Sequence, residues 1–371
     1  MLRRTAPAYD CVNLSQPQWK GSCVKRIREG IYQIVSPFPE YRKEEAYDMR
    51  HDLEAHPRVT KGLPYVLPYF IASRGDNLLV DCGWNTDDAH FALDEQLKEA
   101  GSELKDIQTL VLTHAHPDHC GLSGRLKEET GCTIWMHEAE AGFLQSRYVE
   151  PEELLKHMDE WAARHGVPVA DRPDIERGSM PMRFFVSTFE PDKMAKGGER
   201  LEVGDYSFEI IWTPGHSPGH ICLYDEQKEL LLTGDHVLPT ITPNVSLHPQ
   251  QRPNPLQDYL DSIEKVAKLK VKQVLPAHEW DFEDLQKRLA EMRVHHVSRL
   301  DDMLVAVGNE GTVSATQVAQ RVKWTTGSYD SFQPWMKRAA IGEALSHLMY
   351  LVSQGRLISS EEEGRLLFQR A

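Results

Sequence analysis

The stretch Val111–Gly121, VLTHAHPDHCG, places three histidines and an aspartate within six residues, directly after an apolar run. Neutral imidazoles and carboxylates are the ligands that zinc takes at hydrolytic sites. Side chains alternate along an extended segment, so His114 and His116 face one side. Asp118 and His119 follow in the turn. One short stretch can therefore offer two ligands to one metal and two to a neighbour. Three further candidates recur in the same setting, each at or just after the end of an apolar strand. They are His216 in IIWTPGHSPGH, Asp235 in LLLTGDH and His278 in VLPAHEW. That recurrence outweighs a reading of the cluster as surface histidines in a loop.

The elements that must position these residues alternate between strand and helix. Residues 24–35 read as an opening strand and 40–62 as a charged surface excursion. YVLPYFIAS and NLLVDCG flank RGD, a hairpin signal with Gly75 in the turn. NTDDAHFALDEQLKEAG reads as a helix started at Thr86 and ended by Gly101. IQTLVLTH is a buried strand that delivers the first histidines at its C-terminal end; a helix and the strand CTIWMHE follow. Residues 140–200 read as an insertion or lid near the site, with a helix in EPEELLKHMDEWAARHGV. Three strand candidates lie within 200–238. PLQDYLDSIEKVAKLK is an amphipathic helix with Leu256, Leu260, Ile263, Val266 and Leu269 on one face, and VKQVLPAHEW is a last strand. This β-α-β alternation predicts a layered α/β domain.

At this point the sequence resembles the metallo-β-lactamase superfamily, over most of residues 25–280. HAHPDH matches the superfamily's HxHxDH, and TPGHSPGH, TGD and PAH follow in the expected order and spacing. The resemblance implies an αββα sandwich with the site along one edge of the paired sheets. It implies that His114, His116 and His216 hold one metal, that Asp118, His119 and His278 hold a second, and that Asp235 bridges them. The implied cofactor is two zinc ions; manganese or iron can take the same ligands. Two divalent ions sharing a water lower its pKa and create a hydroxide nucleophile. Asp118 is then the candidate catalytic residue, orienting that hydroxide or taking its proton. His116 stands where the oxygen-reducing flavodiiron branch carries a glutamate, which favours hydrolysis over redox chemistry. Position 235 is Asp rather than the Cys of many β-lactamases. Glu279 departs from the pattern, since many relatives have glycine after the histidine; it reads as the cap of a turn. His220 and His137 read as structural support, and His236 lies outside the ligand set. The Pro-broken segment after Asp235 is the expected substrate loop, with Thr240, Thr242 and Asn244 as polar candidates.

After His278 the character changes. Residues 1–287 read as the catalytic domain. Residues 288–371 read as a long helix closed by Gly308 and a small α+β domain whose helix–helix–helix–hairpin order is that of a winged helix. A metallo-β-lactamase domain followed by a winged helix resembles the lactamase-β-like group, which includes an endoribonuclease. Charge argues against nucleic acid as the partner. The chain carries 42 Lys and Arg against 56 Asp and Glu, a formal net charge of −14, and phosphate neutralisation needs cations. The helix expected at 334–354 has Lys337 and Arg338 as its basic residues and an apolar stripe of Ile341, Leu345, Leu348 and Leu351. That stripe points to packing on the catalytic domain, shaping of its cleft, or a homodimer. No stretch reaches the roughly 20 apolar residues of a membrane span. Six widely spaced cysteines without a CxxC pair read as reduced thiols of a cytoplasmic protein. The expected function is metal-dependent hydrolysis of a small-molecule ester, thioester or lactone. A phosphodiesterase or endoribonuclease and a β-lactamase-type amidase are the alternatives.

Overall fold

A computed structural model of the 371-residue chain describes residues 24–39, 65–73, 75–178 and 180–371. The excursion expected at 40–62 lies outside the described residues. Two sheets carry the architecture. The strands of the first are β1 (Lys25–Arg28) and β2 (Ile31–Gln33), then, after the short pair β3 (Ser36–Pro37) and β4 (Tyr65–Val66), β5 (Tyr69–Ile71), β6 (Asn77–Val80), β7 (Ile107–Val111), β8 (Thr133–His137) and β9 (Lys193–Ala195). Their order is β1-β2-β5-β6-β7-β8-β9. The second sheet runs in sequence order: β10 (Arg200–Val203), β11 (Tyr206–Trp212), β12 (Ile221–Asp225), β13 (Leu230–Gly234) and β14 (Gln273–Pro276).

Two strand expectations need correction. The opening segment is a hairpin, not one strand, because Gly30 at φ +75° turns the chain between β1 and β2. Residues 200–238 hold four strands rather than three. Gly204 at φ +58° reverses RLEVGDYSFEIIW into the antiparallel pair β10–β11.

Alternation along the strands builds three apolar layers. Leu78 and Val80 of β6 and Val111 of β7 point between the sheets and meet Phe208, Ile210, Leu223 and Leu232 of the second sheet. Leu79 and Leu110, one residue out of step, point outward and pack under Leu93, Leu97 and Leu126. The latter come from the helices Asp87–Glu99 and Ser123–Thr130. Ile211, Leu231 and Val274 point outward from the second sheet against Leu256, Tyr259 and Ile263 of the helix Pro255–Val266. Both faces of both sheets are thus covered, which explains strands that read as unbroken apolar runs. The helix caps follow from local chemistry. Thr86 Oγ1 accepts the amide of Ala89, and Asn254 and Asp284 cap their own helices in the same manner.

Parallel pairing decides where the site can form. β6, β7 and β8 run parallel, as do β13 and β14, and β11 points the same way as β13 because both pair antiparallel with β12. The C-terminal ends of these strands therefore open onto common edges, where ligands bind in layered α/β folds.

The C-terminal elements do not stand apart. They are the helix Leu285–Val307, the helix Ala315–Arg321, the helix Pro334–Ser353 and a three-stranded sheet of β15 (Val313–Ser314), β16 (Leu357–Glu362) and β17 (Arg365–Arg370) in the order β15-β17-β16. Ser314 forms a reciprocal capping box with Gln317. The stripe Ile341, Leu345, Leu348 and Leu351 is buried in one continuous cluster with Leu256 and Tyr259, and with Leu154, Met158 and Trp161 of the helix Glu152–Arg164. Among the described residues no helix is long and apolar enough to cross a membrane.

Phe208 is fully buried between the sheets. Phe208→Ala should therefore cost about 3–5 kcal/mol of stability and lower the thermal unfolding midpoint measured by circular dichroism. An unchanged midpoint would contradict the inter-sheet packing.

Candidate metal centre

The seven candidates come from segments at one edge of the sandwich, with Asp118 and His119 in the short helix Pro117–Cys120. His114, His116, Asp118 and His119 follow β7, His216 lies in the turn between β11 and β12, Asp235 follows β13 and His278 follows β14. Their ligand atoms fall into two groups, each with all atoms within 4.8 Å of one another: His114, His116, His216 and Asp235, and then Asp118, His119 and His278. In the first group His116 Nδ1 lies 2.8 Å from His114 Nε2 and 3.1 Å from His216 Nε2. Asp235 stands between the groups. Its Oδ2 is 3.5 Å from His216 Nε2, and its Oδ1 is 3.5 Å from His119 Nε2 and 3.3 Å from His278 Nε2. Asp118 Oδ2 closes the second group at 3.6 Å from His119 Nε2 and 3.4 Å from His278 Nε2.

The electrostatics fit cations. Burial alone would make Asp118 and Asp235 poor acids, but His119 and His278 beside them hold both carboxyls below the usual carboxylate range. Burial conversely disfavours charge on His119 and His278. The carboxylates of Asp118 and Asp235, joined by Asp81 at His119, outweigh it and raise both imidazoles. Without a metal, protons must supply the positive charge these carboxylates demand. His114 and His116, buried among other imidazoles, are pushed well below the ordinary histidine value and stay neutral, the form that binds metal. His119 Nε2 and Asp235 Oδ1 are buried and lack a hydrogen-bond partner among the described residues. Such orphaned atoms aimed at one point are what a metal would satisfy.

The remaining nitrogens of the ring set are held by the fold. His119 Nδ1 meets Asp81 Oδ2 at 2.8 Å, His278 Nδ1 meets the Tyr65 carbonyl at 3.1 Å and His216 Nδ1 meets the Asn244 carbonyl at 2.8 Å. These contacts fix ring orientation and tautomer. Asp81 was not singled out in the sequence, although NLLVDCG puts it at the end of an apolar strand as with the other acidic candidate. It also accepts the Thr113 amide at 2.8 Å and the Thr113 hydroxyl at 2.9 Å, at a left-handed φ of +57°. Glu140 was also missed. Its buried carboxylate accepts the Ala115 amide at 3.1 Å and the Gly219 amide at 2.8 Å. It therefore ties the loop of His114 and His116 to the loop of His216. Gly219 has no room for a side chain, since a Cβ there would stand 2.8 Å from Glu140 Cγ.

The other histidines sort as follows. His220 is structural: its Nδ1 meets Thr213 Oγ1 at 2.8 Å and its Nε2 accepts the Asp235 amide at 3.1 Å. His137 stacks on Trp212 and caps its helix by accepting the Ala139 amide. His296 is buried against Tyr259 and His347, between the helices Pro255–Val266 and Pro334–Ser353. Glu279, at φ +71°, occupies a conformation that favours glycine. Its carboxylate accepts the Thr240 amide at 2.8 Å, the Ile241 amide at 3.2 Å and the Thr240 hydroxyl, capping the loop after Asp235.

A cavity of about 270 Å³ opens on His116 and His216. The loop after Asp235 lines it through Asn244, one of the three expected polar residues, but not through Thr240 or Thr242. Thr240 is tied to Glu279, and Arg288 donates to Thr242 Oγ1 and the Ile241 carbonyl. Asn244 reaches the cavity, together with Ser246, His248 and Gln250. The helix Pro334–Ser353 braces this loop: the Leu247 amide donates to the Gly342 carbonyl at 3.0 Å and Asn244 Nδ2 donates to Glu343 Oε2 at 3.0 Å. The residues from 140 to 200 supply the facing wall, with Leu154, Met158 and Trp161.

The sequence profile of the metallo-beta-lactamase superfamily matches residues 62–278, more than half of the chain. The chain belongs to that superfamily. It is 27% identical over 262 residues to the probable metallo-hydrolase YqjP of Bacillus subtilis, covering 69% of this chain and 80% of YqjP. It is 32% identical over 130 residues to the hydroxyacylglutathione hydrolase GloC of Haemophilus influenzae, covering 35% of this chain and 50% of GloC. It is 28% identical over 172 residues to the acyl-coenzyme A thioesterase MBLAC2 of Gallus gallus, covering 45% and 55% of the two chains. The crystal structure of the metallo-beta-lactamase family protein TTHA1429 from Thermus thermophilus superposes with a TM-score of 0.75 at 28% identity, covering 93% of this chain and all of that one. The similarity to TTHA1429 thus extends beyond the profile match into the C-terminal elements.

Asp81→Ala would leave His119 Nδ1 and the Thr113 amide without their acceptor. Metal affinity, measured by chelator competition and elemental analysis, should fall about 10- to 100-fold. Unchanged affinity would remove Asp81 from the support of His119.

Proposed function

We propose that this chain is a dinuclear metal-dependent hydrolase of small-molecule thioesters or related esters. The observation that carries the reading is Asp235, whose two carboxylate oxygens face separate ligand groups beside a cavity of small-molecule size. His114, His116 and His216 would hold one ion, Asp118, His119 and His278 the other, and Asp235 would serve both. Zinc suits this set of imidazole and carboxylate donors, and manganese or iron could take it. When bound, such a pair supplies Lewis acidity at the substrate oxygen and a water acidic enough to serve as nucleophile near neutral pH.

The protein's own groups do the rest. Asp118 keeps its carboxylate ionised, with one oxygen facing His119 and His278. The other can orient the attacking water and accept its proton. Tyr148 is not available as an acid, because its hydroxyl donates to the Ala115 carbonyl and burial pushes its pKa well above the usual value. The apolar wall of Leu154, Met158 and Trp161 excludes water beside the reacting carbonyl and receives an apolar part of the substrate. GloC and MBLAC2, whose names describe a hydroxyacylglutathione hydrolase and an acyl-coenzyme A thioesterase, support the choice of thioesters. We read the C-terminal elements as a winged-helix-like unit that shapes the cleft instead of binding nucleic acid. The burial of its apolar stripe against the rest of the chain supports this.

The test is metal content of the purified protein alongside hydrolysis of acyl-coenzyme A and glutathione thioesters, a lactone, nitrocefin, bis-p-nitrophenyl phosphate and a structured RNA. Two equivalents of metal with a clear preference for the thioesters are expected. Efficient cleavage of the RNA or the phosphodiester instead would overturn the reading. In Asp118→Asn, turnover should fall by about 100-fold or more while the thermal midpoint moves by only a few degrees. Unchanged turnover at intact metal content would refute the role of Asp118.

A further inference from the structure

Among the described residues that line it, the cavity beside the metal centre gathers cationic side chains, in a chain whose net charge is −14. Arg147 enters it from the turn Gln145–Val149, and Arg338 from the helix Pro334–Ser353. Arg183 and His248 also line it. Among the described residues no Asp or Glu lines this cavity. Arg147 is set in place by neutral groups. Its Nε donates to Gln250 Oε1 at 3.0 Å, and Gln250 Nε2 donates to Ser146 Oγ at 2.9 Å. Arg338 feels its neighbour: burial, and then the charge of Arg147, lower its pKa to about 10. Burial, followed by the charges of Arg147 and Arg338, keeps His248 neutral.

Two guanidinium groups from separate elements, brought into one cavity, repel each other, and an anion between them reverses the sign of that interaction. Their planar forks match the oxygens of a carboxylate or a phosphate. His116 and His216 line the same space, so an anion held there belongs to the molecule whose carbonyl meets the metal centre.

We propose that Arg147 and Arg338 form an anion clamp that selects esters and thioesters carrying a carboxylate or phosphate. This rests on the hydrolase reading and names the substrate class within it. The net acidity of the chain does not oppose it, because a local arginine pair sets the field inside a cavity.

The experiment compares kcat/KM of the metal-loaded enzyme on four thioesters. They are the neutral S-phenyl thioacetate, 4-(acetylthio)benzoate with a carboxylate on the thiol side, 4-oxo-4-(phenylthio)butanoate with one on the acyl side, and S-acetyl-4′-phosphopantetheine with a phosphate. The readout is the ratio of each anionic substrate to the neutral one, which also locates the charge. The wild type should favour at least one anionic thioester by about tenfold or more, and Arg147→Gln and Arg338→Gln should each reduce that ratio about tenfold, mainly through KM. Arg147→Lys should recover part of it. Thermal melting identifies a variant that has not folded. Calorimetric titration with succinate, benzoate and inorganic phosphate needs no turnover and should detect binding that both glutamine variants weaken. Equal ratios in the wild type and in both variants, with no anion bound, would overturn the clamp. Anion binding that depends on both arginines, with none of the four thioesters hydrolysed, would keep the clamp and reject the hydrolase reading.

Discussion

Two carboxylates, Asp118 and Asp235, are brought to within 3.3–3.6 Å of imidazole nitrogens in a buried pocket, and the rest of the structure depends on that juxtaposition. Carboxylates held away from water are costly unless positive charge stands beside them. The raised pKa of His119 and His278 records how strongly the site calls for such charge. A divalent cation answers that call by placing two charges at one point between the donors, where two protons would sit on separate imidazoles. Arrangement of the site is therefore inseparable from its demand for cations, and the scaffold's task is to hold the donors still while that demand is met.

The scaffold does so through contacts one step behind the ligands. Asp81 pins His119, the Tyr65 carbonyl pins His278 and the Asn244 carbonyl pins His216. Glu140 joins the two loops that supply the first group, and Glu279 caps the loop that follows Asp235. Through that loop the C-terminal helix acts on the centre at a distance. Gly342 and Glu343 hold Leu247 and Asn244, and Asn244 holds His216. The helix also contributes Arg338 to the cavity wall, so the same element that steadies a candidate ligand shapes what can approach it.

Much of this was legible in the sequence because strand ends announce themselves. Each of the seven candidates sits at or soon after an apolar run, and apolar runs buried on both faces are hard to mistake. The helix cap at Thr86 was equally local. What escaped was either a change of direction inside an apolar run or a partnership between distant residues. Gly30 and Gly204 turned expected single strands into hairpins. Glu140 stands at the start of the stretch that reads as an insertion or lid, and nothing nearby shows that its carboxylate will meet amides at positions 115 and 219. Thr240 and Thr242 lie in the right loop but are consumed by Glu279 and Arg288, so the cavity takes its polar groups from further along.

Charge shows the same limit in sharper form. An acidic chain with few basic residues near its C-terminus reads as one without a cationic surface, and for the surface as a whole that inference stands on sound electrostatics. Recognition, however, happens in a cavity, where the relevant charge is set by a few side chains and not by the sum over the molecule. Arg147 lies in the turn ahead of one helix and Arg338 near the start of another, each unremarkable in its own segment. The fold makes them neighbours, with no carboxylate among the described residues that line the space between them. Net charge therefore bears on whether a long polyanion is drawn to this molecule, while the paired arginines bear on which small molecule is held once inside, and the two observations are compatible.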